Sequence, residues 1–134
     1  MKGAAPREGA PRVLVADDFT DGRELVAEAL ARAGFDVVEA EDGERALAKV
    51  VELRPALVLM DLGLPKVDGW EAIRRLKADP RTAHIPVILW TADAATDQAL
   101  RARAMGCASI LTKPCSLRAL VDEVKRVLAS GAVA

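Results

Sequence analysis

The sequence predicts an open α/β fold, a doubly wound parallel sheet of five strands with five helices. Three observations carry that expectation. Short β-branched runs alternate with longer runs of helical period from Arg12 to Leu128. Strands separated by single helices pair in parallel through right-handed crossovers. The chain has 134 residues, 51% of them apolar, which is enough for one core and too little for two. A chain of this size buries roughly two-thirds of its unfolded surface, so neither disulfides nor a structural metal is needed.

Arg12-Val13-Leu14-Val15-Ala16 reads as the first strand, nearly continuous in apolar residues as a strand buried on both faces should be. Asp21 to Arg32 reads as a helix, with Leu25 and Ala29, then Val26 and Leu30, four apart on one face. Asp21 and Glu24 have the spacing of a capping pair, and Gly34 suits the C-terminal cap. Asp36 to Ala40 is a weaker strand, expected at an edge. Gly43 to Leu53 is helical, with Leu47, Val50 and Val51 inward and Arg54-Pro55 as a stop.

Ala56-Leu57-Val58-Leu59-Met60 is the clearest central strand. After a loop from Leu62 to Val67, Asp68 and Glu71 form another capping pair for a helix to Ala78. Pro86 to Trp90 is the fourth strand, Ala94 to Met105 an alanine-rich helix ended by Gly106, and Ala108 to Thr112 the fifth strand. Ser116 caps a final helix whose stripe is Leu117, Leu120, Val121, Val124 and Leu128. Residues 1–11, rich in Gly, Ala and Pro, read as a disordered tail, 12–130 as the domain and 131–134 as a short tail.

Composition removes several function classes. Lys and Arg number 19 against 20 acidic residues, a net charge of -1 that offers no general field for nucleic acid or anionic lipid. The aromatic residues are Phe19, Phe35, Trp70 and Trp90, with no tyrosine, so a base-stacking surface is not expected. No apolar stretch is long enough to span a membrane, and the N-terminal segment lacks the apolar run of a secretory signal. Cys107 and Cys115 flank a strand too long to let them bridge, so both thiols are expected free, as in a reducing cytoplasm. His84 reads as a solvated loop residue, and Arg101, Arg103, Arg118, Lys125 and Arg126 as solvated helix faces.

In doubly wound sheets the ligand site lies at the carboxyl ends of the strands. Strand one ends in Asp17-Asp18, strand three in Asp61, strand four in Thr91 and strand five in Lys113-Pro114. Carboxylates gathered in one crevice repel, and keeping them ionised calls for a cation. Oxygen ligands with no Cys or His at that edge favour Mg²⁺. Lys113 is a point charge suited to a phosphate or a carboxylate, Thr91 offers a hydroxyl, and Ala92 and Asp93 open the next helix with free N–H groups. Together these residues describe a site for a phosphoryl group bound through Mg²⁺.

The series Ala16-Asp17-Asp18, Met60-Asp61-Leu62, Leu64-Pro65 with Asp68-Gly69, Thr91-Ala92 and Lys113-Pro114 resembles the receiver domain of bacterial two-component response regulators. No single piece is specific; all five in order, at strand ends, are. The resemblance implies a flavodoxin-like sheet of order 2-1-3-4-5. It implies that Asp61 accepts a phosphoryl group from a histidine kinase or a histidine phosphotransfer protein. Asp18 would then ligate Mg²⁺ directly, Asp17 largely through water, and the Gly63 carbonyl would join Asp61 as a further ligand. Thr91 and Ala92 would hold phosphoryl oxygens, and Lys113 would pair with Asp61 and then with the phosphate. The Lys113-Pro114 peptide is commonly cis in such domains. The chain would be a signalling domain, catalysing only its own phosphorylation and dephosphorylation, with a downstream protein as target and neither DNA nor membrane as partner.

Rival functions remain on the list. A flavin binder has a similar sheet, but its phosphate loop does not begin with two aspartates. A haloacid-dehalogenase-type phosphatase carries a second Asp where Gly63 stands here. A receiver-like docking module that is never phosphorylated is the third. About five residues follow the last helix, which leaves no space for a DNA-binding or catalytic output domain. A stand-alone receiver is therefore expected, or a domain excised from a larger regulator. Family members commonly switch through a hydroxyl coupled to a strand-five aromatic; Thr91 supplies the hydroxyl, but the aromatic position holds Ile110. Trp90 is a candidate substitute lever. Gly63 and Asp93 occupy positions that in the family the chain resembles tune hydrolysis of the aspartyl phosphate, and Gly63 would leave room for water.

Overall fold

The computed structural model describes residues 9–92 and 96–130, without the Thr96 side chain. Most of the N-terminal tail, the 131–134 tail, and Asp93 with the expected start of the fourth helix at Ala94 lie outside the described residues. The elements run β1 (Arg12–Ala16), α1 (Thr20–Arg32), β2 (Asp36–Ala40), α2 (Gly43–Leu53), β3 (Leu57–Met60), α3 (Gly69–Ala78), β4 (Val87–Thr91), α4 (Thr96–Ala104), β5 (Ser109–Thr112) and α5 (Leu117–Ala129). All strand pairs are parallel, in the order β2-β1-β3-β4-β5, as expected.

Alternation along the central strands builds two cores. Val13, Val15, Leu57, Leu59, Ile88 and Trp90 point to one face, where α1 adds Val26 and Leu30 and α5 adds Leu120, Val124 and Val127. Leu14, Ala16, Val58, Met60, Val87 and Leu89 point to the other, against α2, α3 and α4. Burial on both faces is why these strands read as unbroken apolar runs.

Two helix readings need correction. Asp21 does not cap α1: the N-cap is Phe19, without a side-chain cap bond, and Asp21 sits in the first turn. The turn is closed from the strand side, where Phe19 N–H donates to Asp17 Oδ1 (2.9 Å). Leu25 and Leu117 do not face the core but are 57% and 39% exposed. Both line a groove of about 630 Å³ between α1 and α5, because the inward stripe is set by Arg23, Val26, Ala27 and Leu30 on one helix and Leu120, Val124 and Val127 on the other. Arg101 and Arg126 are exposed as expected, and each also has a surface partner: Arg101 stacks over the Trp70 ring at 4.3 Å, and Arg126 pairs with Glu123 at 2.6 Å.

Other local chemistry follows the expected rules. Asp42, Asp68 and Ser116 accept from the N–H of Arg45 (2.7 Å), Glu71 (2.9 Å) and Ala119 (3.0 Å). The Glu71 carboxylate is taken up by Arg74 and Arg75 rather than returning to the cap. Gly34 ends α1 at φ +102, with Gly34 N–H on Ala31 O and Phe35 N–H on Leu30 O, the paired bonds that a left-handed residue permits. Both cysteines are free, and burial pushes the Cys107 thiol up to about 11. His84 is exposed in the turn before β4.

Candidate functional site

Strand register delivers the charged residues to one place. Ala16 pairs with both Ala40 and Met60, so the next residues leave the sheet side by side. Asp17 N–H donates to Ala40 O (3.1 Å) and Asp61 N–H to Ala16 O (3.0 Å). Thr91 pairs with Thr112, and Lys113 N–H donates to Thr91 O (2.7 Å), which carries Lys113 toward the same end. The Lys113–Pro114 peptide is cis.

One carboxylate oxygen from each of Asp17, Asp18 and Asp61 lies within 4.8 Å of the others. Their environments differ. Asp17 is 1% exposed, with Oδ1 accepting from Phe19 N–H and Oδ2 from Lys113 Nζ at 2.9 Å. Asp18 is exposed. Asp61 accepts from Gly63 N–H at 3.2 Å through Oδ1 and from Lys113 Nζ at 3.2 Å through Oδ2. The ammonium therefore bridges two carboxylates from different strands, slightly closer to Asp17 than to Asp61.

Burial pushes the Asp61 carboxyl above its ordinary value, and the Asp17 charge adds to the rise against the opposing Gly63 N–H and Lys113. Lys113 moves up as well: burial alone would depress an ammonium, but bonds and charge from Asp17 and Asp61 outweigh it. Thr91 is buried at the end of β4, and exposed Ala92 follows it in a bend. Gly63 is exposed, and a β-carbon there would meet nothing within 4 Å. Ile110 is half-buried against the core that holds Leu89 and Ala102.

One supporting residue escaped the sequence reading. Arg23 is 9% exposed and donates to the Asp17 carbonyl (2.8 Å) and to Glu39 Oε1 (3.0 Å), tying the end of β1 to α1 and β2. Its signal was an arginine at helical spacing with Val26, Ala27 and Leu30. Trp90 lies under Lys113, with Nζ 4.3 Å from the ring centroid. The sequence placed Trp90 beside Thr91 but could not aim its ring.

Residues 13–125 match the family described as the response regulator receiver domain. The chain belongs to that family. The receiver is 40% identical over 116 residues to the phosphate regulon transcriptional regulatory protein PhoB of Pseudomonas aeruginosa, covering 87% of this chain and 51% of that protein. It thus spans about half the length of the first of the curated relatives it matches. The polar-differentiation response regulator DivK of Brucella anthropi is 34% identical, covering 87% of this chain and 94% of that protein. Among solved structures, the Vibrio cholerae chemotaxis protein CheY4 superposes with a TM-score of 0.84 at 27% identity, covering 89% of this receiver and 99% of that chain. Receiver domains are signalling domains of two-component systems, and the five-stranded sheet here is theirs.

Proposed function

We propose that Asp61 is the phosphoacceptor of this receiver, taking a phosphoryl group from the phosphohistidine of a sensor histidine kinase or a histidine phosphotransfer protein. The observation that carries the reading is the Lys113 ammonium bridging Asp17 and Asp61 inside a cluster of three carboxylates. An Asp61 carboxylate oxygen attacks phosphorus, the P–N bond breaks, and its electron pair stays on the imidazole nitrogen. Lys113 then offsets charge on the transferred group, while the Thr91 hydroxyl and the Ala92 N–H hold its oxygens.

The donor set fits Mg²⁺: hard carboxylate oxygens, with no Cys or His in the cluster. Asp18, Asp61 and the Gly63 carbonyl would hold it directly. Asp17, whose two oxygens already accept bonds from Phe19 and Lys113, would act through water. The ion would supply neutralising positive charge to the phosphoryl oxygens.

The output is altered binding of a downstream protein, in the cytoplasm, with no DNA or membrane contacted by this domain. The receiver catalyses only its own phosphorylation and dephosphorylation. Incubation with acetyl phosphate and Mg²⁺ tests the assignment: wild type gains one phosphoryl group and Asp61→Asn gains none. Wild type that takes no label would return the chain to a docking module, and label that persists in Asp61→Asn would move the acceptor elsewhere.

A further inference from the structure

Lys113 is held on more than one side. Asp17 Oδ2 and Asp61 Oδ2 take its ammonium at 2.9 and 3.2 Å, and the Trp90 ring covers another side at 4.3 Å from Nζ to centroid. Trp90 is 8% exposed, on the sheet face covered by α1 and α5, and its Nε1 is buried with no hydrogen-bond partner among the described residues. A buried, unpaired indole N–H costs free energy that an aliphatic side chain would not. What this position uses is therefore the ring face and not the N–H. A ring face attracts a cation more strongly when water is excluded, and Lys113 is only partly exposed here.

The ring differs from the Asp61 carboxylate in one respect that matters for the reaction. Once an Asp61 oxygen is bonded to phosphorus, the carboxylate loses its negative charge and its pull on the Lys113 ammonium weakens. Asp17 Oδ2 at 2.9 Å then remains as a single anchor, about which an ammonium on a flexible four-carbon stem can still swing. The Trp90 ring belongs to β4, whose backbone is fixed by both neighbouring strands, and its hold on the ammonium does not depend on the state of Asp61.

We propose that Trp90 is a positioning residue for phosphoryl transfer, its ring face keeping the Lys113 ammonium aimed at the acceptor while that ammonium exchanges a carboxylate for phosphoryl oxygen. The inference rests on Asp61 being the phosphoacceptor. It also gives Trp90 a task separate from core packing, because packing alone would be served by any large apolar side chain.

The test combines a spectroscopic signature with a rate, on the full chain. In ¹H–¹³C spectra of lysine-labelled protein, the Lys113 ε-CH₂ resonance, identified by its loss in Lys113→Arg, is expected upfield of the other lysines. Trp90→Leu returns it to the ordinary position, and Trp90→Phe keeps at least half of the displacement. Labelling by acetyl phosphate with Mg²⁺ slows about three- to tenfold in Trp90→Leu and stays within about twofold of wild type in Trp90→Phe. Mg²⁺ affinity, read by calorimetry, is unchanged in both. An ordinary Lys113 resonance in wild type overturns the inference without any variant. So does a Trp90→Leu protein that labels at the wild-type rate, or a Trp90→Phe protein that slows as much as Trp90→Leu. Wild type that keeps the displaced resonance yet takes no label would instead overturn the phosphoacceptor assignment beneath it.

Discussion

A β-carbon on Gly69 would stand 2.5 Å from the carbonyl oxygen of Asp61. The first turn of α3 thus packs backbone to backbone against Asp61, the proposed acceptor, and Gly69 N–H closes the loop onto Leu62 O at 2.9 Å. Sequence reading takes Asp68-Gly69 for a cap and a turn; the glycine is also the floor of the site. Gly69→Ala must displace main chain and not a flexible side chain, and overpacking of this kind costs about 1–3 kcal/mol. The expected result is a lower Tm together with slower acetyl phosphate labelling. A Gly69→Ala protein with wild-type labelling would show that the acceptor loop is not seated by this contact.

Gly63 is the opposite case, since a β-carbon there meets nothing within 4 Å. Gly63→Met should fold with stability within about 0.5 kcal/mol of wild type, as exposed substitutions usually do. Its side chain would shade Asp61 from solvent and lengthen the life of the aspartyl phosphate. Decay of radiolabelled protein measures this, and an unchanged rate removes water access at Gly63 as the control.

Asp61 has a stability cost with a definite sign. Burial raises its carboxyl above 3.8 in the folded chain, so the fold holds that proton more tightly than the unfolded chain does. The cost is absent below the unfolded value and grows as pH rises through the folded one. Without Mg²⁺, Asp61→Asn should therefore have the higher Tm at pH 7, and the difference should vanish as pH falls below 3.8. Calorimetry across that range checks it; a destabilised Asp61→Asn at pH 7 would reverse the sign.

Glu123 runs the other way. Its carboxyl is lowered to about 2, chiefly by Arg126, with Ser109 adding a bond from β5 to α5. That contribution is present above 4.5 and lost as pH falls toward 2. The pair lies near the surface, so the loss is no more than about 1 kcal/mol. Urea unfolding at neutral and acid pH should show a smaller acid loss for Glu123→Gln than for wild type.

The legible part of the molecule was the part written in local chemistry. Runs such as Leu57–Met60 declare a strand covered on both faces, and Asp68 and Ser116 stand where their caps are needed. Asp17, Asp18, Asp61, Thr91 and Lys113 could be gathered because parallel strands all end at one edge. Where the reading failed, the cause was orientation. Leu25 and Leu117 fit a four-residue spacing as well as their buried neighbours do, and only packing against the sheet selects Val26 and Leu120 over them. Asp21 has the spacing of a cap, yet the approach of the chain from β1 makes Phe19 the cap residue.

By itself the sequence determined the order of the elements, the edge that carries the chemistry and the identities of the charged residues there. Those follow from periodicity and from the positions of side chains along the chain. Tertiary structure alone decided that Lys113 bridges Asp17 and Asp61, slightly closer to Asp17, that Arg23 grips the Asp17 carbonyl, and that Trp90 turns its ring to the ammonium. Lys113 and Asp17 are 96 residues apart in the chain. Contacts at that separation depend on strand register and on which face each side chain leaves, and no local pattern encodes either.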